Sequence, residues 1–166
     1  MIRHGGCLCG GVRFQTAGEP VRVAVCHCRY CQLRSGSAFG ITVVFPTTCI
    51  EIKSGSFDTF TYQTENDTNL KIKRCTECGT SILWELDAER FKGMTATAGG
   101  TFDPPMPWTQ VDVEFFTRSK ASFCSINAEE SFAESPHYKP LISEDSRLDG
   151  SKLTSQEIRS RSSDDA

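Results

Sequence analysis

Seven of the nine cysteines of this chain fall into three tight groups, Cys7-Leu8-Cys9, Cys26-His27-Cys28-Arg29-Tyr30-Cys31 and Cys75-Thr76-Glu77-Cys78. No other feature constrains the fold as strongly, because thiolates at such spacings are soft donors that suit Zn²⁺. Tetrahedral zinc with four thiolates is closed, whereas zinc with three protein ligands keeps a position for water or substrate. Seven sulfurs therefore make one closed set and a second set one ligand short.

The grouping follows from chain geometry. On a strand, residues two apart face the same way, so Cys7 and Cys9, and likewise Cys26 and Cys28, are expected to aim their sulfurs together from strands. Cys75-x-x-Cys78-Gly79 is a knuckle turn, in which the glycine after the second ligand accepts a positive φ. Cys26, Cys28 and Cys31 make a self-sufficient three-ligand group, which leaves Cys7, Cys9, Cys75 and Cys78 for a structural zinc. A competing partition joins the knuckle to Cys28 and Cys31 but strands Cys7 and Cys9 with Cys26. For the middle group a purely structural zinc with an unidentified fourth ligand, or a Cys28-x-x-Cys31 redox pair, are the readings to weigh against an open site.

An odd number of cysteines with two Cys-x-Cys pairs is a poor disulfide framework. The start of the chain reaches Cys7 without an apolar stretch, so the expected setting is reducing and cytoplasmic, with no membrane span. The 166 residues carry 18 Lys+Arg against 21 Asp+Glu, a formal charge of -3, and no basic run. Nucleic acid and anionic membranes are accordingly not expected partners; a small molecule is.

Alternating apolar residues bounded by turn formers mark short strands at Val12 to Thr16, Val21 to Val25, Phe39 to Phe45, Cys49 to Lys53, Phe57 to Thr64, Leu70 to Lys73, Ile82 to Leu86 and Val111 to Phe116. The only helical signal in this part is one short turn over Arg29 to Ser35, so the fold class is mostly β. From Leu141 the chain has no aromatic residue and is rich in serine, which predicts a flexible polar tail at 141–166 after a domain at 1–140. Thr154-Ser155-Gln156-Glu157 within it matches a capping box.

Other candidates are bland. Cys49 and Cys124 lie alone on apolar segments and read as core. His27 sits between two presumed ligands and points away from them if the segment is a strand, which fits packing or support rather than coordination. His4 and His137 show no partner in sequence. Phe39, Trp84 and Trp108 read as core aromatics rather than pocket lining.

Taken together, Gly6-Cys7-Leu8-Cys9-Gly10-Gly11-Val12-Arg13-Phe14, the middle cluster, Gly36-Ser37-Ala38-Phe39, Arg74 to Thr80, Gly99 to Asp103, Val113 to Phe116 and Ser119-Lys120-Ala121 resemble the glutathione-dependent formaldehyde-activating enzyme family, which also includes centromere protein V. The resemblance runs from about residue 3 to 140. It implies a zinc-stapled β-tent of several short antiparallel sheets with little helix, a structural zinc on the first and third clusters, and a second, open zinc on Cys26, Cys28 and Cys31. It also implies carbon-sulfur lyase activity of the kind that forms S-hydroxymethylglutathione, with glutathione as co-substrate. Two positions depart from the family's pattern: Gln32 stands where a basic residue is frequent, leaving Arg29 or Arg34 to hold an anionic substrate, and Phe123 replaces a tryptophan.

Three thiolates already neutralise a zinc dication, so its water is hard to ionise and hydrolysis is not the expected chemistry. A thiol as the fourth ligand, poised beside an aldehyde carbon, fits better. The alternatives are a zinc lyase or isomerase acting on a non-thiol metabolite, and a non-catalytic binding module that both metals merely fold.

Overall fold

The computed structural model describes residues 1–63, 68–105 and 110–137. Its strands are β1 (Ile2–Gly6), β2 (Arg13–Ala17), β3 (Arg22–Cys26), β4 (Gly40–Pro46), β5 (Ile50–Ser54), β6 (Phe57–Gln63), β7 (Asn69–Cys75), β8 (Ser81–Leu86), β9 (Met94–Ala98), β10 (Val111–Phe115) and β11 (Ala128–Ser131). The α-helix among the described residues, α1 (Arg29–Ser35), occupies the segment where the sequence places a helical turn. The expected domain boundary, the tail with its capping box and Trp108 lie outside the described residues.

The strands form two sheets, a three-stranded one in the order β1-β2-β5 and an eight-stranded one in the order β11-β10-β3-β4-β9-β8-β7-β6. Pairing is antiparallel except that β10 runs parallel to both β3 and β11. Those parallel contacts close one end of the large sheet around Cys26, whose register partner on β10 is Phe115.

Alternation gives the two faces of the large sheet different tasks. Val23, Val43 and Phe45 point to one face and pack with Phe14 of β2, Ile82, Leu83 and Phe102 into the main core. Phe14 and Phe102 meet edge to face with ring centroids 5.3 Å apart, an aromatic pairing worth about 0.5–1.5 kcal/mol beyond its buried area. Ala24, Thr42 and Val44, one residue out of phase, line the opposite side. There Leu70, Ile72, Trp84 and Ala96 form a second, smaller cluster. It leaves space beside the middle cysteines.

Strands β9 and β11 have no counterpart in the sequence reading, and β1 lies just before Cys7, where that reading places a strand through Cys7 and Cys9. Gly5-Gly6 and Glu129-Glu130 have low strand propensity, and Thr95-Ala96-Thr97 lacks the large apolar residues of an alternating pattern; these segments are held by their neighbours: β1 by full register with β2, β9 between β4 and β8, β11 by β10. Gly5 explains itself by crowding, since a Cβ there would collide with the Phe14 ring and with the carbonyl oxygen of Thr101, 2.6 Å away.

Candidate metal centres and the cavity beside them

The first cysteine pair is delivered by a turn rather than by a strand. Strand β1 ends at Gly6, and Cys7-Leu8-Cys9-Gly10 folds back with the Gly10 amide donating to the Cys7 carbonyl at 3.0 Å. The Cys7 sulfur accepts from the Val12 amide at 3.2 Å, so backbone dipoles fix it. The expectation of strand alternation is corrected here: two adjacent glycines and the Gly10-Gly11 pair allow the tighter turn, and the turn brings both sulfurs to one side. The knuckle has the geometry read from sequence. The Gly79 amide donates to the Cys75 carbonyl at 2.9 Å, and Gly79 adopts φ 71°.

Together these turns place the sulfurs of Cys7, Cys9, Cys75 and Cys78 within 4.8 Å of one another. The Cys7–Cys9 and Cys9–Cys75 separations are 3.3 and 3.8 Å. A tetrahedron with ~2.3 Å zinc–sulfur bonds has an edge of about 3.8 Å, so the set fits a four-thiolate zinc. Hydrogen bonding from Thr80 draws the Cys78 thiol down to about 5, so this cluster already carries negative charge near neutrality. It joins β1 to the β7–β8 corner, segments some seventy residues apart by number.

The middle cluster is likewise not an alternating strand. Cys26 is the last residue of β3, His27 follows outside it, and Cys28 is the N-cap of α1, its sulfur accepting from the Cys31 amide at 3.4 Å. A strand end, a cap and the first helical turn thus converge, and the three sulfurs lie within 4.8 Å of one another. Arg34, one helical turn after Cys31, brings Nη2 to 3.6 Å from its sulfur. Hydrogen bonds from Cys26 and Cys28, with the Arg34 charge, hold the Cys31 thiol well below the usual range, while the same contacts push Cys26 well above it. Three sulfurs this close cannot all ionise without a cation among them, and the donor set is one that suits zinc.

Beneath this cluster lies an ion network. His27, fully buried, sets Nε2 at 2.9 Å from Glu114 Oε1. Glu114 also accepts from Lys120 Nζ at 2.9 Å and from the Ser131 hydroxyl at 3.2 Å. Burial works to raise the Glu114 carboxyl, but the hydrogen bonds from Lys120 and His27 hold it below its ordinary value. Facing a carboxylate, Nε2 of His27 is the donor. His27, outside the strand on which the sequence reading placed it, is not grouped with the sulfurs and ties their loop to β10 through Glu114.

The open side of the middle cluster faces a cavity of about 180 Å³. Cys26, Cys28 and Cys31 line it, with Arg34, Tyr62, Val44, Leu70 and Trp84 around them. Arg34 lies flat over Trp84, its guanidinium carbon 3.7 Å from the ring centroid. Tyr30 and Tyr62 stack with centroids 5.3 Å apart, and burial pushes the Tyr62 phenol above its usual range. Phe116, also on the wall, holds φ 56°, a left-handed conformation that costs a bulky residue about 1–3 kcal/mol.

The sequence reading missed Trp84, Tyr62 and His137 as cavity residues. Trp84 is core as expected, only 3% exposed, yet one side of its ring faces the cavity and Arg34. Phe39, also expected in the core, lines a neighbouring cavity with Arg34, Trp84 and Cys78, its ring centroid 5.6 Å from that of His27. Cys49 packs against the main core as expected, and Cys124 is partly buried apart from both clusters.

The family model for glutathione-dependent formaldehyde-activating enzymes matches residues 2–119, which include all seven clustered cysteines and the His27–Glu114 pair. The chain belongs to that family. A solved structure of a Rhodobacter sphaeroides protein is similar to it with a TM-score of 0.47 and 17% identity, covering 65% of this chain and 96% of that one. No curated protein matches the chain significantly. Among the described residues no helix is long and apolar enough to cross a membrane.

Proposed function

We propose that the protein is a carbon-sulfur lyase-like enzyme that makes or breaks an adduct between a thiol and a small aldehyde at the Cys26, Cys28 and Cys31 site. The observation that carries this reading is the contrast between the two cysteine sets: four sulfurs gathered into a closed group, and three that open on a cavity. Zinc held by the three sulfurs supplies one further position for a soft or carbonyl ligand.

The chain's own residues then act on the bound pair. Arg34 beside Cys31 supplies positive charge where a sulfur anion comes to rest, and Trp84 beneath it keeps the guanidinium in one orientation. The neutral Tyr62 phenol offers a hydrogen bond to the aldehyde oxygen. The cavity walls hold sulfur and carbon at attacking distance, which is where most of the acceleration arises. In adduct formation the S–C bond forms, the carbonyl π pair moves to oxygen, and the proton lost by the thiol ends on that oxygen. The reverse step releases thiol and aldehyde. Nothing is oxidised or reduced.

The grouping of the seven cysteines supports zinc as the cofactor at both sites, and the family's description supports glutathione as a candidate thiol. The direct test mixes the zinc-loaded protein with formaldehyde and glutathione and follows adduct by nuclear magnetic resonance. Acceleration over the buffer rate supports the reading, and an unchanged rate for every thiol tried removes it.

A further inference from the structure

Resting on the reading that a substrate sulfur enters at Cys26, Cys28 and Cys31, we infer that the cavity selects a compact thiol with a single aromatic ring over glutathione. Three observations carry this. First, the volume of about 180 Å³ is below the roughly 300 Å³ at which drug-sized ligand pockets begin and close to the ~150 Å³ that accommodates one benzene ring. Second, much of the lining is apolar or aromatic, with Val44, Leu70, Trp84, Leu86, Phe91 and Ala96 among its side chains. A ring stacked there makes good contacts, whereas a peptide group placed there loses hydrogen bonds to water at roughly 2–7 kcal/mol each.

Third, the charges are one-sided. Arg22, Arg34 and Arg90 line the cavity, and no aspartate or glutamate among the described residues does. A sulfur anion is welcome beside Arg34. The ammonium of glutathione's γ-glutamyl group would meet no carboxylate on this wall, and a tripeptide carrying that group is disfavoured chiefly by size. Arg22, exposed on the lining, supplies a cation for a carboxylate on the ring.

The test is calorimetric titration of the zinc-loaded protein with phenylmethanethiol, with glutathione and with phenylmethanol, which keeps the ring and lacks the sulfur. Phenylmethanethiol is expected to bind about tenfold or more tightly than glutathione. Val44→Phe, which fills the cavity from its apolar wall, is expected to weaken phenylmethanethiol by about tenfold and leave zinc content unchanged; the wild-type comparison decides even if that variant does not fold. Glutathione binding as tightly as phenylmethanethiol, or neither binding, overturns the inference while leaving thiol chemistry to be judged by the adduct assay. Phenylmethanethiol binding no better than phenylmethanol removes the sulfur-entry reading itself, whatever the cavity prefers.

Discussion

Arg34 and Cys31 lie one helical turn apart, with the guanidinium Nη2 3.6 Å from the sulfur and its plane resting on Trp84. A single short helix thus presents both a metal-site sulfur and the cation that faces it. Gln32, which occupies the position where the family resemblance leads one to expect a basic residue, instead reaches the Ala38 carbonyl at 3.4 Å. Arg34 stands two residues further along the same helix.

Replacing Arg34 should therefore impair catalysis without unfolding the protein. Arg34→Gln is expected to lower kcat/KM for adduct formation by about 10–100-fold, the usual cost of losing a group that supports a metal site. Arg34→Lys keeps the charge but not the flat stacking on Trp84, and should recover only part of it. Steady-state kinetics with zinc content measured in parallel would check this; equal activity of the glutamine variant would contradict it.

The Glu114 network governs stability. Glu114→Ala leaves Lys120 and His27 without their carboxylate and is expected to cost about 3 kcal/mol, read from urea denaturation. Because the folded carboxyl titrates below its ordinary value of 4.5, its contribution is complete above that pH and disappears as pH falls through the folded value. Wild-type stability should thus fall more steeply with acid below about 4.5 than that of Glu114→Gln. Parallel slopes in the two proteins would show that Glu114 carries no such linkage.

Gly5 tests the packing under the first turn. Gly5→Ala forces a methyl group into Phe14 and the Thr101 carbonyl, neither of which is a flexible side-chain end, and should destabilise by about 1–3 kcal/mol. The shift in thermal midpoint measures it. Gly100→Ala, where a Cβ meets nothing within 4 Å, is the matched control and should be nearly silent.

Much of this architecture was readable from residue order. Eight strand segments, the turn at Arg29 to Ser35 and the division of the seven cysteines are local or combinatorial signals, and each has its counterpart in the described residues. What the sequence did not show depends on partners far along the chain. Strand β9, whose Thr95-Ala96-Thr97 core offers no large apolar alternation to read, lies between β4 and β8. Cys7 and Cys9 converge through a glycine-assisted turn rather than through alternation. Trp84 and Tyr62 became cavity residues only when β6 to β9 curved beside α1, and a period-two pattern cannot say which side of a sheet is left unfilled.

The most direct measurement is zinc content and adduct-forming activity on one set of variants. Wild-type protein is expected to carry two zinc ions per chain, from the four- and three-sulfur sets. Cys28→Ser should retain one zinc and a wild-type circular dichroism spectrum while losing activity by about a hundredfold or more, and Cys9→Ser should lose stability along with its metal. Cys28→Ser protein that has lost the second zinc but still forms adduct at the wild-type rate would contradict the assignment of chemistry to that site.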